Sequence, residues 1–181
     1  MQKKAIVLWF TGMSGAGKST IAELAAERLK SEGFKASVID GDQVRKNLHK
    51  HLSFSREDIL ENNRLIAQLC AQHLSGFDVI LVPIISPYAL GRRRAREIIG
   101  DTFFEVYIKA SLEELIKRDT KGLYQKSMEG KMDDLIGFSP KSPYEEPQSP
   151  DLSINTDREN PQNNVEKLME SVRRWMKRPT H

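Results

Sequence analysis

Apolar and polar positions follow two rhythms along this chain. Ala5-Ile6-Val7-Leu8-Trp9-Phe10-Thr11 is an almost unbroken apolar, β-rich run that reads as a buried strand. Shorter strand-like runs follow at Ala36–Ile39, Val79–Val82 and Phe103–Ile108, with a weaker one at Leu152–Ile154. Between them apolar residues recur at helical spacing over Ile21–Glu32, Arg56–Leu74, Leu90–Ile99 and Leu112–Arg118, with a last stretch at Val165–Met176. Strand and helix alternating over the whole length predict an α/β fold, a parallel sheet flanked by helices on both faces. Such sheets bind ligands at the carboxyl ends of their strands, so polar residues there are the first candidates for chemistry. From Lys121 to Pro150 the rhythm stops, leaving a helical piece at Lys126–Asp133 and a Pro-rich piece at Ser139–Pro150. A stretch that long predicts a mobile lid over 121–150 on a single domain spanning 1–181; a floppy surface insertion is the alternative.

The first strand end carries the strongest signal. Gly12-Met13-Ser14-Gly15-Ala16-Gly17-Lys18-Ser19 fits G-x-x-x-x-G-K-[ST], directly after a strand and directly before a helix. With glycine near ~7% of residues, a chance match at any one site has a probability on the order of 10⁻⁴. The glycines let successive N–H groups turn toward phosphate oxygens, and the helix N-terminus adds partial positive charge. Gly12, Ser14, Gly15, Ala16, Gly17, Lys18, Ser19 and Thr20 are therefore expected to cradle a nucleoside triphosphate. Lys18 would reach the β- and γ-phosphates, and the Ser19 hydroxyl would ligate Mg²⁺.

Three further segments are polar where the pattern predicts strand ends or their flanks. Asp40-Gly41-Asp42, with Arg45 after it, could hold Mg²⁺ and accept a proton from an attacking hydroxyl; the plainer alternative is an aspartate pair capping a short helix. Ile84-Ile85-Ser86-Pro87-Tyr88 puts Ser86 where substrates are gripped, and Arg92-Arg93-Arg94-Ala95-Arg96 follows on a helix, with some members expected toward substrate phosphates. Arg118 and Lys121, at the predicted lid hinge, could cover adenine and phosphates so that closure excludes water. In the longest helical stretch, Phe54 could stack on a base, with Asn62 and Arg64 reaching polar substrate groups. Ordinary capping by Ser55 and core packing explain the same residues.

Composition narrows the reading. The chain has 181 residues, 39% hydrophobic and 29% charged, with a net charge of +3. That balance suits a globular protein with an adequate core and gives no electrostatic case for nucleic acid. No apolar run is long enough to cross a bilayer, and the short run at the start leads into the glycine loop without a cleavage site. The one cysteine, Cys70, allows no internal disulfide and fits a reducing compartment, so a cytoplasmic protein is expected.

Taken together, Gly12–Thr20, Asp40–Arg45, Phe54-Ser55, Glu61-Asn62, Ile85–Tyr88, Arg118-Asp119, Lys121-Gly122-Leu123-Tyr124 and Pro143-Tyr144-Glu145 resemble the adenylyl-sulfate kinase family of P-loop kinases, in the family's order and over nearly the whole chain. The resemblance implies Mg-ATP as phosphoryl donor and adenylyl sulfate as acceptor, phosphorylated on its 3′-hydroxyl to give PAPS. It implies acceptor contacts from Asp42, Arg45, Phe54, Asn62, Ile85 and Ser86 and, in the lid, from Lys121, Gly122 and Leu123. Arg118 would lie beside ATP, and a homodimer is suggested. The family traditionally labels the Ser86 position a phosphoserine; direct in-line transfer suits a loose phosphoryl transition state better. The chain departs from the family where Ile59 and Ala89 stand in place of arginines and where 137–144 is longer. Arg56 or Arg64 could compensate. Otherwise the acceptor is another activated nucleotide, such as cytidine diphosphoramidate in surface-polysaccharide synthesis. A silent nucleotide-binding protein is a third reading, opposed by intact Lys18, Ser19 and Asp40.

Overall fold

The structure, a computed structural model, describes residues 5–47 and 51–177, apart from the side chains of Asp42 and Lys46. In chain order the elements are β1 (Ile6–Thr11), α1 (Lys18–Ser31), β2 (Ala36–Val38), α2 (Gly41–Asn47), α3 (Arg56–His73), β3 (Val79–Pro83), α4 (Ala89–Ile99), β4 (Phe103–Lys109), α5 (Leu112–Arg118), α6 (Leu123–Met128), β5 (Leu152–Asn155) and α7 (Pro161–Trp175). The strands form a parallel sheet in the order β2-β3-β1-β4-β5.

Burial explains why β1 is apolar at every position but its last. Alternate side chains of a strand point to opposite faces, and helices cover both. Ile6, Leu8 and Phe10 join α1 and α7 residues in one core, while Val7 and Trp9 join Ile66, Cys70, Ala95 and Ile99 of α3 and α4 in the other. Among the described residues no helix is long and apolar enough to cross a membrane.

Two predicted helices shift. The piece expected at Lys126–Asp133 is α6, six residues long and starting at Leu123, because Gly122 enters the left-handed region (φ 64) and Asp119 accepts the Tyr124 and Gln125 N–H groups, each at 3.0 Å. Gly130, at φ 71, turns the chain away after Met128. The last helix begins at Pro161, ahead of its first apolar residue, because the Asn160 side chain accepts the Asn163 N–H at 2.9 Å and proline is preorganised for the first helical position.

Candidate active site

The turn after β1 can lie against β4 only with glycine at its first position. Gly12 has φ 153, and a Cβ there would stand 2.3 Å from the Ile108 carbonyl oxygen. Gly17, at φ 98, leads directly into α1. Lys18, only 9% exposed, folds back so that its Nζ donates to the Met13 carbonyl at 2.8 Å.

Beside this loop opens a cleft of about 460 Å³ at the carboxyl edge of the sheet. Ser14, Gly15, Gly17, Lys18, Ser19 and Thr20 form one wall. Asp40 enters from the end of β2, and Pro83, Ile84 and Ile85 from the end of β3. Arg118, at the end of α5, and Thr120 and Lys121 just after it close the cleft, while Thr156, Glu159, Pro161 and Asn164 line it around the start of α7.

Several expected residues meet here with defined partners. Asp40 Oδ1 accepts the Gln43 N–H at 2.9 Å, so this carboxylate caps α2 while facing the cleft; capping and site are one placement rather than rival readings. Arg118 donates to Glu114 at 2.9 Å and to the Thr156 hydroxyl and carbonyl at 3.0 and 2.7 Å, which fixes its guanidinium across the cleft mouth. Thr156 in turn donates to the Ala16 carbonyl at 3.0 Å, and the Tyr124 hydroxyl donates to the Ser14 carbonyl at 2.7 Å.

Other expected residues lie elsewhere. Gly12 and Ala16 belong to the loop's far side, and Gly122 and Leu123 open α6; none of the four lines the cleft. The Asp42 side chain is outside the described residues. Arg45 bonds the Ser53 carbonyl and sits 4.7 Å above the Phe54 ring, which is 64% exposed. Asn62 is buried, and it is the neighbouring Asn63 whose Nδ2 donates to Ser86 Oγ at 2.9 Å. Ser86 itself is 1% exposed at φ 44, its carbonyl accepting from Arg92 at 2.8 Å. The arginine cluster turns inward in part: Arg92 pairs with Glu105 at 2.7 Å and Arg96 with Asp151 at 2.7 Å, because acidic side chains of β4 and the approach to β5 lie beneath α4.

The residues 4–155 match the family model described as Adenylylsulphate kinase. The chain belongs to the adenylylsulphate kinase family. It is 44% identical to an adenylyl-sulfate kinase of Halothermothrix orenii over 172 residues, covering 93% of this chain and 89% of the relative. It is 42% identical to the adenylyl-sulfate kinase of Picosynechococcus, covering 95% and 96%. Among solved structures, the Mycobacterium tuberculosis APS kinase in complex with AMPPNP and APS aligns with a TM-score of 0.86 at 34% identity, over 94% of this chain and 99% of that one.

Within this adenylylsulphate kinase family member, the polar and α7-side cleft residues missed by sequence reasoning are Thr120, Thr156, Glu159, Pro161 and Asn164, beside the apolar Ile21, Pro83 and Ile84. A signal for Thr156 was present. Asn155-Thr156-Asp157 is a polar strand end, and the rule applied to the earlier strands applies equally to β5. Tyr124 falls within Lys121-Gly122-Leu123-Tyr124, a segment that carries the family resemblance, but the resemblance implied no role for its hydroxyl.

Proposed function

We propose that this chain transfers the γ-phosphoryl group of ATP to the 3′-hydroxyl of adenylyl sulfate, forming PAPS. The observation that carries the reading is the single cleft that joins Lys18, Ser19 and Asp40 to Arg118, Lys121 and Thr156 at the carboxyl edge of a parallel sheet. Relatives named for that activity match over nearly the whole length.

In this reading the loop N–H groups and Lys18 hold the donor phosphates, Lys18 exchanging its Met13 carbonyl for phosphate oxygen. Arg118, braced by Glu114 and Thr156, packs beside the adenine. Asp40 takes the proton of the attacking hydroxyl, a form of help worth about 10²–10⁴ in rate. The donor set at the loop end suits Mg²⁺, since a serine hydroxyl and a carboxylate are hard oxygen ligands and this ion keeps much of its water. Ser19 and Asp40 would hold it, and it would supply neutralisation of phosphate charge. Ser86 shapes the loop after β3 through Asn63 and Arg92, and its burial supports direct transfer over a phosphoserine relay. Residues 121–150 form the cover that excludes water, the competing acceptor.

The Ile59 position is buried, and Arg64 is held by Glu61 through two bonds of 2.7 Å. Arg56, 5.1 Å above the Tyr88 ring, is then the cation that stands beside the Ser86-Pro87-Tyr88 turn for the acceptor's anionic end. An ADP-release assay with adenylyl sulfate and, separately, cytidine diphosphoramidate tests the reading. Turnover with adenylyl sulfate is expected, and turnover with the cytidine compound alone would replace it.

A further inference from the structure

The phosphate loop is shaped by groups outside it. A trans peptide places its C=O and the following N–H on opposite sides of the chain, and no peptide bond among the described residues is cis. A donor that holds a loop carbonyl outward therefore aims the next N–H the other way. Three loop carbonyls accept from side chains: Met13 from Lys18 Nζ, which lines the cleft, at 2.8 Å, Ser14 from the Tyr124 hydroxyl at 2.7 Å, and Ala16 from the Thr156 hydroxyl at 3.0 Å. Lys18 belongs to the motif. The other two donors come from 110 and 140 residues away.

We propose that Tyr124 and Thr156 are positioning residues for the nucleotide's polyphosphate, their hydroxyls fixing the peptide planes that turn the Gly15 and Gly17 N–H groups toward the cleft. This rests on the loop being the ATP site. Tyr124 is enclosed where its hydroxyl makes this bond. The side chain is 1% exposed, Phe138 meets its ring edge-on at 5.8 Å, and Asp119 holds its backbone N–H at 3.0 Å. Burial pushes the phenol up to about 12, so it stays a donor at neutral pH. At Thr156 the Arg118 guanidinium donates to Oγ1 at 3.0 Å, and the hydroxyl hydrogen has the Ala16 carbonyl at 3.0 Å as its nearer acceptor, with the Lys109 carbonyl at 3.4 Å. Lys121 lines the cleft three residues before Tyr124, so the base of the 121–150 segment and the phosphate grip are mechanically joined.

Calorimetry on the full chain with ADP and with AMP as probes tests this, using Tyr124→Phe, Thr156→Val and Thr156→Ser beside the unaltered protein. ADP engages the loop through its β-phosphate, and AMP serves as the probe without it. Tyr124→Phe and Thr156→Val are each expected to weaken ADP binding about five- to tenfold, with AMP changed by less than about twofold and Thr156→Ser restoring ADP affinity. Unchanged ADP binding in both hydroxyl-less variants overturns the proposal while leaving the ATP-site reading intact. Equal losses for ADP and AMP, accompanied by a lowered melting temperature, also overturn it, since that is a purely structural effect. If the unaltered protein binds no ADP, the ATP-site reading falls and the proposal with it. Should Tyr124→Phe not fold, the Thr156 pair decides.

Discussion

One carboxylate at position 40 holds a helix and faces the cleft, and the two tasks separate by substitution. Asp40→Asn keeps an acceptor for the Gln43 N–H but cannot take a proton, so turnover should fall at least about a hundredfold with an unchanged melting temperature. Asp40→Ala should add a stability loss of about 1 kcal/mol from the missing cap. Steady-state rates and thermal melts check both, and near-normal turnover in the asparagine variant removes the base role. Cys70 makes a different kind of statement. It is buried in the core between α3 and the sheet, and burial pushes its thiol from 9.0 up to about 12. The native state thus holds this proton more tightly than the unfolded chain does. That contribution is complete below pH 9 and is lost as pH climbs toward 12, so stability should decline across that interval. Denaturant melts along a pH series check the slope, and a folded sample should resist thiol labelling at neutral pH.

At the scale of elements, α4 is tied to β4 and to the turn after β3 by one buried guanidinium. Arg92 pairs with Glu105 of β4 at 2.7 Å and donates to the Ser86 and Glu145 carbonyls at 2.8 and 2.7 Å. Arg92→Met removes one partner and strands the Glu105 carboxylate, so unfolding free energy should drop by about 3–5 kcal/mol. A urea titration measures it; a loss below 1 kcal/mol, by the scale of an exposed ion pair, would place the tie elsewhere. The same helix explains why Asn63, rather than Asn62, reaches Ser86. A Cβ on Gly91 would meet Asn63 Nδ2 at 2.8 Å, so the glycine lets α3 and α4 approach at that side chain. Two adjacent asparagines look alike in sequence, and only the packing of one helix on another chooses between them.

Across the whole molecule, the 121–150 segment is pinned at both ends. Tyr124 reaches the phosphate loop, while the Tyr144 hydroxyl lies 2.9 Å from Thr11 and the Glu145 N–H donates to the Pro87 carbonyl at 2.8 Å. Between those anchors Lys131 and Lys141 are about 70% exposed or more in their side chains, at 70% and 73%. Trypsin should cut there in the free protein, and Mg-ATP with acceptor should slow the cut several-fold, read as fragment masses over time. Identical cleavage rates with and without ligands would mean the segment does not close.

The chain's own pattern determined the alternation of strands and helices, the phosphate loop and the polar end of β2. These are local, carried by residues within one period of a strand or helix or within one eight-residue motif. Element borders at α6 and α7 escaped because side-chain caps, not apolar spacing, set them. Tertiary structure alone decided that Ser86 is buried beneath Asn63 and Arg92, that Asp40 both caps and faces the cleft, and that Tyr124 and Thr156 brace the loop. Such contacts join positions far apart in the chain, and the sheet's crossing order brings them together. No window of neighbouring residues contains that information.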